Sequence, residues 1–271
     1  PQKLIQVVQA CAVWVVLLNL VSLWKQEARS ERRGQREPDG FSHQWRQLMA
    51  LPRMRRFLWT VGLGTAAFSM QDIVLEPYGA QVLGLDVSLT SALTALTSAG
   101  ALLAFAMSAR LLSRGMDACR LAALGAVIGL PAFACVIFSA PLQSAWLFQT
   151  GATLIGVGGG LFGVGMLLSA MALTDQFHAG MVLGAWGAVQ ATASGLAMAL
   201  GGMVRDFMGH MAEQGWLGEA LISPVTGYSM VFHLEMYMLF GVLIALGPLV
   251  SRRRLDRLAN DHRIGLAELP G

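Results

Sequence analysis

The chain has 271 residues, of which 55% are hydrophobic and 13% charged, with 31 glycines and a formal net charge of +3. Soluble domains carry about 25% charged residues, so this composition excludes an ordinary soluble globular protein and points to a membrane protein. In such a chain clustered basic residues report topology and give no reason to expect nucleic-acid binding. The three cysteines, Cys11, Cys119 and Cys135, sit in or beside apolar runs without the paired spacing of a disulfide framework or a zinc site, which makes them core residues.

Residues 4–24 are apolar and long enough, at about 1.5 Å per residue, to cross a hydrocarbon core of about 30 Å. The run resembles a signal peptide in length. However, only Lys3 precedes it, the basic cluster lies on its far side and no initiator Met is present, so the chain is expected to begin partway through a longer protein. Residues 25–56 change character, with nine Lys and Arg residues from Lys25 to Arg56, and form a solvated basic loop. Within it Phe41, Trp45, Leu48 and Met49 recur at helical spacing up to Pro52. A short amphipathic helix is expected there, lying on the membrane surface or packed on the cytoplasmic end of a helical bundle.

Further apolar spans are expected at 57–75, 88–112, 119–140, 146–173, 181–204 and 230–250, for a total of seven. When the intervening segments are assigned to alternate sides, all but Lys3 and Arg205 of the 19 Lys and Arg residues fall on one side. Basic loops stay cytoplasmic, so the loop at 25–56 and the tail at 251–271 are expected inside and the N-terminus outside. This order of elements suggests the last helix of one six-helix half (1–24), a central cytoplasmic loop (25–56), a complete second half (57–250) and a cytoplasmic tail. Two such halves around a central cavity make the major facilitator fold. The expected fold class is therefore an all-α polytopic membrane protein, the C-terminal half of a major-facilitator-type bundle.

The stretch GATLIGVGGGLFGVG (151–165) lies inside an apolar span with no preceding strand, so its glycines suit helix packing better than phosphate binding. Gly156 with Gly160, Gly159 with Gly163, the group Gly180, Gly184 and Gly187, and Gly195 with Gly201 and Gly202 are all expected at close helix contacts.

Polar residues inside spans are few, and charge there is costly enough to mark a bundle interior, a partner or water. In FSMQDIVLEPYG (68–79), Gln71, Asp72 and Glu76 lie at the outer end of the second span, where an apolar helix is expected to stop at Pro77. Asp72 and Glu76 are four apart and share a face if the helix persists. The same residues also suit a helix stop and turn with Tyr78 as an interfacial anchor. Gln190 lies near the middle of its span and either bonds a neighbouring helix or lines a cavity. His233 and Glu235 enter the last span from the same side as Asp72 and Glu76, where the two sets could meet as a proton-sharing network or a polar lock. No Lys or Arg lies deep in an expected span, which argues against an organic-anion transporter. No metal-ligand cluster, nucleophile motif or acid–base pair is recognisable, so neither a catalytic nor a metal site is expected.

The run RRFLWTVGLGTAAFSMQDIVLEPYGAQVLGL (55–85) resembles the PucC family, the bacteriochlorophyll delivery branch of the major facilitator superfamily. LGAWGAVQATASGLAMALGGMVRD (183–206) and YSMVFHLEMYMLFGVLIALGPLV (228–250) look like the matching parts of that family's second half. Its most specific element is QDIVLEPYG (71–79). SARLLSRGMD (108–117) looks like a degenerate form of the superfamily's loop between the second and third helices of a half, a departure that argues against ordinary alternating-access transport.

The resemblance implies a multi-pass inner-membrane protein of phototrophic bacteria that assists assembly of light-harvesting antenna complexes by delivering or handling bacteriochlorophyll. Membrane lipid, antenna polypeptides and the pigment are then the implied partners, and the pigment is cargo with no firm cofactor. Gln71, Asp72, Glu76, Tyr78, Gln190, His233 and Glu235 are the candidate pigment- or substrate-binding residues. Two alternatives are a proton-coupled transporter of a small neutral or cationic solute using Asp72, Glu76 or Glu235, and a purely structural protein binding antenna polypeptides laterally.

Overall fold

Apolar runs of this length bury their backbone hydrogen bonds most cheaply as helices, and the described residues contain helices and turns with no strand. The structure, a computed structural model, describes residues 41–174 and 179–263, together with helical positions 10, 13–15, 17, 18 and 21. The chain divides into two compact units, Pro1–His43 and Gln44–Gly271. The remainder of the expected first span at 4–24, most of the basic loop and the last residues of the tail lie outside the described residues.

Eight helices follow in order: α1 (Phe41–Ala50), α2 (Pro52–Ser69), α3 (Leu75–Val82), α4 (Val87–Ser113), α5 (Ala118–Ser139), α6 (Ala145–Leu173), α7 (Ala179–Glu213) and α8 (Pro224–Arg263). Five of them, α4 to α8, are long and apolar enough to cross a membrane, and α2 with α3 makes a sixth span if that bent pair counts as one. Among the described residues, five of the seven expected spans are thus present as single helices, or six with the bent pair. In α1, Leu48 is buried and Trp45 and Met49 pack against the core, so this helix sits against the bundle and not free on a lipid surface.

Helices α7 and α8 run beyond their expected bounds, whereas α4 ends where expected. The apolar run ending at 204 continues as α7 to Glu213, where Gly215 adopts φ 73° and the amides of Gly215 and Trp216 bond back to the carbonyls of Ala212 and Met211. Gly115, at φ 84°, ends α4 in the same way with Leu112 and Leu111. Glycine reaches this left-handed backbone without a Cβ penalty, which is why both helices stop there. The last helix, expected over 230–250, begins at Pro224 and runs through Arg263, with Pro248 inside it.

The bundle is organised around α6. A Cβ on Gly125 of α5 would lie 2.5 Å from the Gly158 carbonyl oxygen, and one on Gly165 of α6 would lie 2.6 Å from the Ala118 carbonyl oxygen. On its other side Gly156 meets the backbone of Thr97 and Gly160 meets Ala101 and Ala104, all in α4. Small residues therefore bring three helix backbones into contact, as expected for Gly156 and Gly160. Other glycines do not behave this way. Gly159 makes an ordinary contact with Phe68, whereas Gly163, Gly180, Gly184, Gly187 and Gly195 have nothing within 4 Å of the point that a Cβ would occupy. The expected close packing along α7 holds only near Gly201, against Met70, because glycine spacing shows which face is flat and not whether a neighbour lies on it.

Helix α7 runs parallel to α2, with Val189 beside Gly62, a Ser194–Ser69 hydrogen bond of 3.1 Å and Gly201 against Met70. Helix α8 runs antiparallel, so that Ala245 meets Arg56 at 3.1 Å, Gly241 meets Leu63, and Tyr228 reaches Gln81. This register sets residue 235 opposite the end of α2.

Candidate functional site

The α2–α3 span is broken, and the break is where the polar residues lie. Met70–Ile73 form a short 3-10 turn, and α2 and α3 meet at 40°. The expected stop at Pro77 is corrected here. Pro77 occupies the first turn of α3, where a helix has no use for the missing N–H and the fixed φ of proline favours helix, so the chain bends before it and not at it.

Gln71 is 2% exposed. Its Nε2 donates to the Phe68 carbonyl oxygen at 3.1 Å and to Asp72 Oδ1 at 2.6 Å, while its Oε1 is buried without a partner. Asp72 is exposed. Glu235, on α8, is 0% exposed and faces the backbone amide of Gln71 and the Asp72 carboxylate. It closes no hydrogen bond, and both of its oxygens are without a partner among the described residues. Of the two acidic sets expected to meet between the second and the last span, Asp72 and Glu235 are therefore the members that do, together with Gln71.

The remaining candidates lie elsewhere. Glu76 is exposed and accepts a 2.6 Å hydrogen bond from Thr94 Oγ1, which ties α3 to α4. Tyr78 is 1% exposed. Its hydroxyl donates to the Val136 carbonyl oxygen at 3.1 Å and lies 3.2 Å from Ser139 Oγ, and its ring meets those of Phe148, Tyr228 and Phe232 at centroid distances of 5.3–5.5 Å. Full burial replaces the interfacial anchor with a packing centre joining four helices. His233 bonds the Ser229 carbonyl oxygen of its own helix through Nδ1 at 2.7 Å, which holds its ring along α8. Gln190 is half-exposed on α7 and makes no hydrogen bond among the described residues.

A second polar cluster escaped sequence reasoning. Arg205, in the extended part of α7, donates through Nη2 to Tyr228 Oη at 2.7 Å and to Gln81 Oε1 at 3.3 Å, and through Nη1 to Asp206 Oδ1 at 2.6 Å. Its guanidinium carbon lies 4.7 Å from the Tyr228 ring centroid. Gly215 was the available signal, since a helix ended by that glycine must include Arg205. Because the Arg205 side chain is 32% exposed, its contribution is discounted for screening. Arg205→Met is expected to cost about 1 kcal/mol and to lower Tm by roughly 2–4 °C in detergent, since Tyr228 Oη keeps its 2.7 Å bond to Gln81. A loss above about 10 °C would show that the cluster holds these ends of the three helices together.

These features define an all-α polytopic membrane protein whose broken span carries a polar turn, with Gln71 and Asp72, against the last helix. The chain belongs to the PUCC protein family, whose model matches residues 1–254. An uncharacterized protein in the puhA-bchM intergenic region of Rhodobacter capsulatus is 46% identical over 275 aligned residues, covering 98% of this chain and 57% of that protein. Protein PucC of Rhodovulum sulfidophilum is 46% identical over 209, covering 75% and 46%. A more distant relative is the bacteriochlorophyll synthase 44.5 kDa chain of Rhodobacter capsulatus, 24% identical over 265, covering 93% and 58%. The chain spans about half the length of the curated relatives it matches. No solved structure matches it.

Proposed function

We propose that this chain is part of a membrane assembly factor for photosynthetic antenna complexes, handling bacteriochlorophyll without covalent catalysis. What carries this reading is membership of the PUCC protein family, with QDIVLEPYG folded as the broken α2–α3 span and the carboxylates of Asp72 and Glu76 on its exposed side. A bacteriochlorophyll is a large apolar macrocycle whose magnesium takes oxygen or nitrogen axial ligands. Asp72 and Glu76 are exposed and Gln190 is half-exposed, and in this reading they are the positions that meet the pigment. Gln71, Tyr78 and Glu235 are buried and support that wall from behind, while His233 is held by its own helix. In this reading the C-terminus lies in the cytoplasm of a bacterial inner membrane, supported by the Lys and Arg bias of the loops.

The test uses the full-length protein in a phototroph. Deletion is expected to lower antenna absorbance several-fold, and protein purified in mild detergent is expected to carry bacteriochlorophyll absorbance. Asp72→Asn with Glu76→Gln is expected to reduce that absorbance at unchanged protein level. Unchanged antenna in the deletion strain and no copurified pigment would sink the reading. One observation favours a second reading, proton-coupled transport of a small neutral or cationic solute: the unpartnered Glu235 beside Asp72. Vesicle uptake driven by a pH gradient, and lost in Asp72→Asn, would select it.

A further inference from the structure

The polar atoms at the break of the α2–α3 span are mismatched in a specific way. Both amide hydrogens of Gln71 are used, on the Phe68 carbonyl and on Asp72 Oδ1, so its Oε1 is the free end. Flipping the amide would set Oε1 against two acceptors, so the hydrogen-bond network itself fixes this orientation. Glu235 adds two more oxygens, fully buried and without a partner, and Asp72 adds a second carboxylate. No Lys or Arg among the described residues pairs with either acid. Three buried acceptors that close no hydrogen bond, beside a further carboxylate and with only the backbone amide of Gln71 turned toward Glu235, call for a positive charge. Hard cations are held by carboxylate and carbonyl oxygens, and broken membrane helices are a recurrent place for them.

We propose that Gln71 Oε1 and the carboxylates of Asp72 and Glu235 form a binding site for a small hard cation, an alkali or alkaline-earth ion, which joins α8 to the broken span. Asp72, being exposed, is the entry ligand, and Glu235 the buried one. A bound ion removes the repulsion between two carboxylates in a low-dielectric interior and satisfies acceptors that otherwise cost stability. The site rests on the local geometry alone and does not depend on what the protein carries.

The experiment follows thermal unfolding of the full chain in mild detergent by tryptophan fluorescence. Sodium, potassium, magnesium and calcium chlorides are titrated against choline chloride at constant ionic strength and pH. One of these ions is expected to raise Tm once it exceeds its dissociation constant, by roughly 3–6 °C for each further tenfold in concentration. Glu235→Gln is expected to fold, to melt no lower than wild type in choline, and to lose the response. Asp72→Asn is expected to raise the concentration needed for a given shift at least tenfold, and Glu76→Gln to respond as wild type. The proposal is overturned if no ion shifts wild-type Tm, if Glu235→Gln keeps the full shift, if Glu76→Gln loses it too, or if only acidification in choline reproduces it, which would make the occupant a proton. No pigment enters the readout, so this result and the antenna result can fail independently.

Discussion

Gly156→Leu is expected to abolish recovery of folded, monodisperse protein. The Cβ it introduces would overlap the Thr97 carbonyl of α4, which is backbone and cannot rotate away. The contact is reciprocal, because Gly100 of α4 meets the Thr153 carbonyl of α6, so relieving one clash means separating the two helices along their length. Overpacking in a well-packed core costs about 1–3 kcal/mol, and more where the obstacle is main chain. Gly163→Leu in the same helix and Gly187→Leu in α7 have open space around them and are expected to match wild type in size-exclusion profile and to stay within about 1 kcal/mol in stability. Equal yields for Gly156→Leu and Gly163→Leu would mean that α4 and α6 can separate at little cost.

Tyr78→Ala carries the second large effect. Removal of a fully buried aromatic costs about 3–5 kcal/mol, and here it also deletes three ring contacts and a hydroxyl held by Val136 and Ser139. Tyr78→Phe keeps the rings and loses only the hydroxyl, at a cost of about 1 kcal/mol. Thermal melts of the two variants in the same detergent separate the packing role from the polar one. If Tyr78→Phe were as damaging as Tyr78→Ala, the hydroxyl and not the ring would be the centre of the contact.

The spans were legible because some twenty apolar residues in a row have few alternatives to a membrane helix, and α4 to α8 lie where hydropathy placed them. The bend was not. Met70, Gln71, Asp72 and Ile73 include no glycine or proline, whereas Pro77 looks like a stop and is tolerated because it falls in a first turn. Glycine spacing was legible as a flat face at Gly156 and equally at Gly187, and only tertiary structure shows that one is covered and the other open. The pairing of the second and last spans was half legible. Glu235 and His233 are two residues apart and point to different sides of α8, so only one can face Gln71, and nothing local says which. Tyr78 looked interfacial because its neighbours are polar, but the bend turns it inward onto Phe148 and Phe232.

The unequal helix lengths bear on where such a bundle settles. At about 1.5 Å per residue, the 35 residues of α7 extend roughly 52 Å, against roughly 33 Å for the 22 residues of α5. A bilayer hydrocarbon layer of about 30 Å matches α5 and also the apolar part of α7 up to residue 204, so the polar turns of α7 from Arg205 to Glu213 project beyond it. Those turns are then open to a membrane-impermeant reagent, measurable as labelling of an Asp206→Cys variant in vesicles.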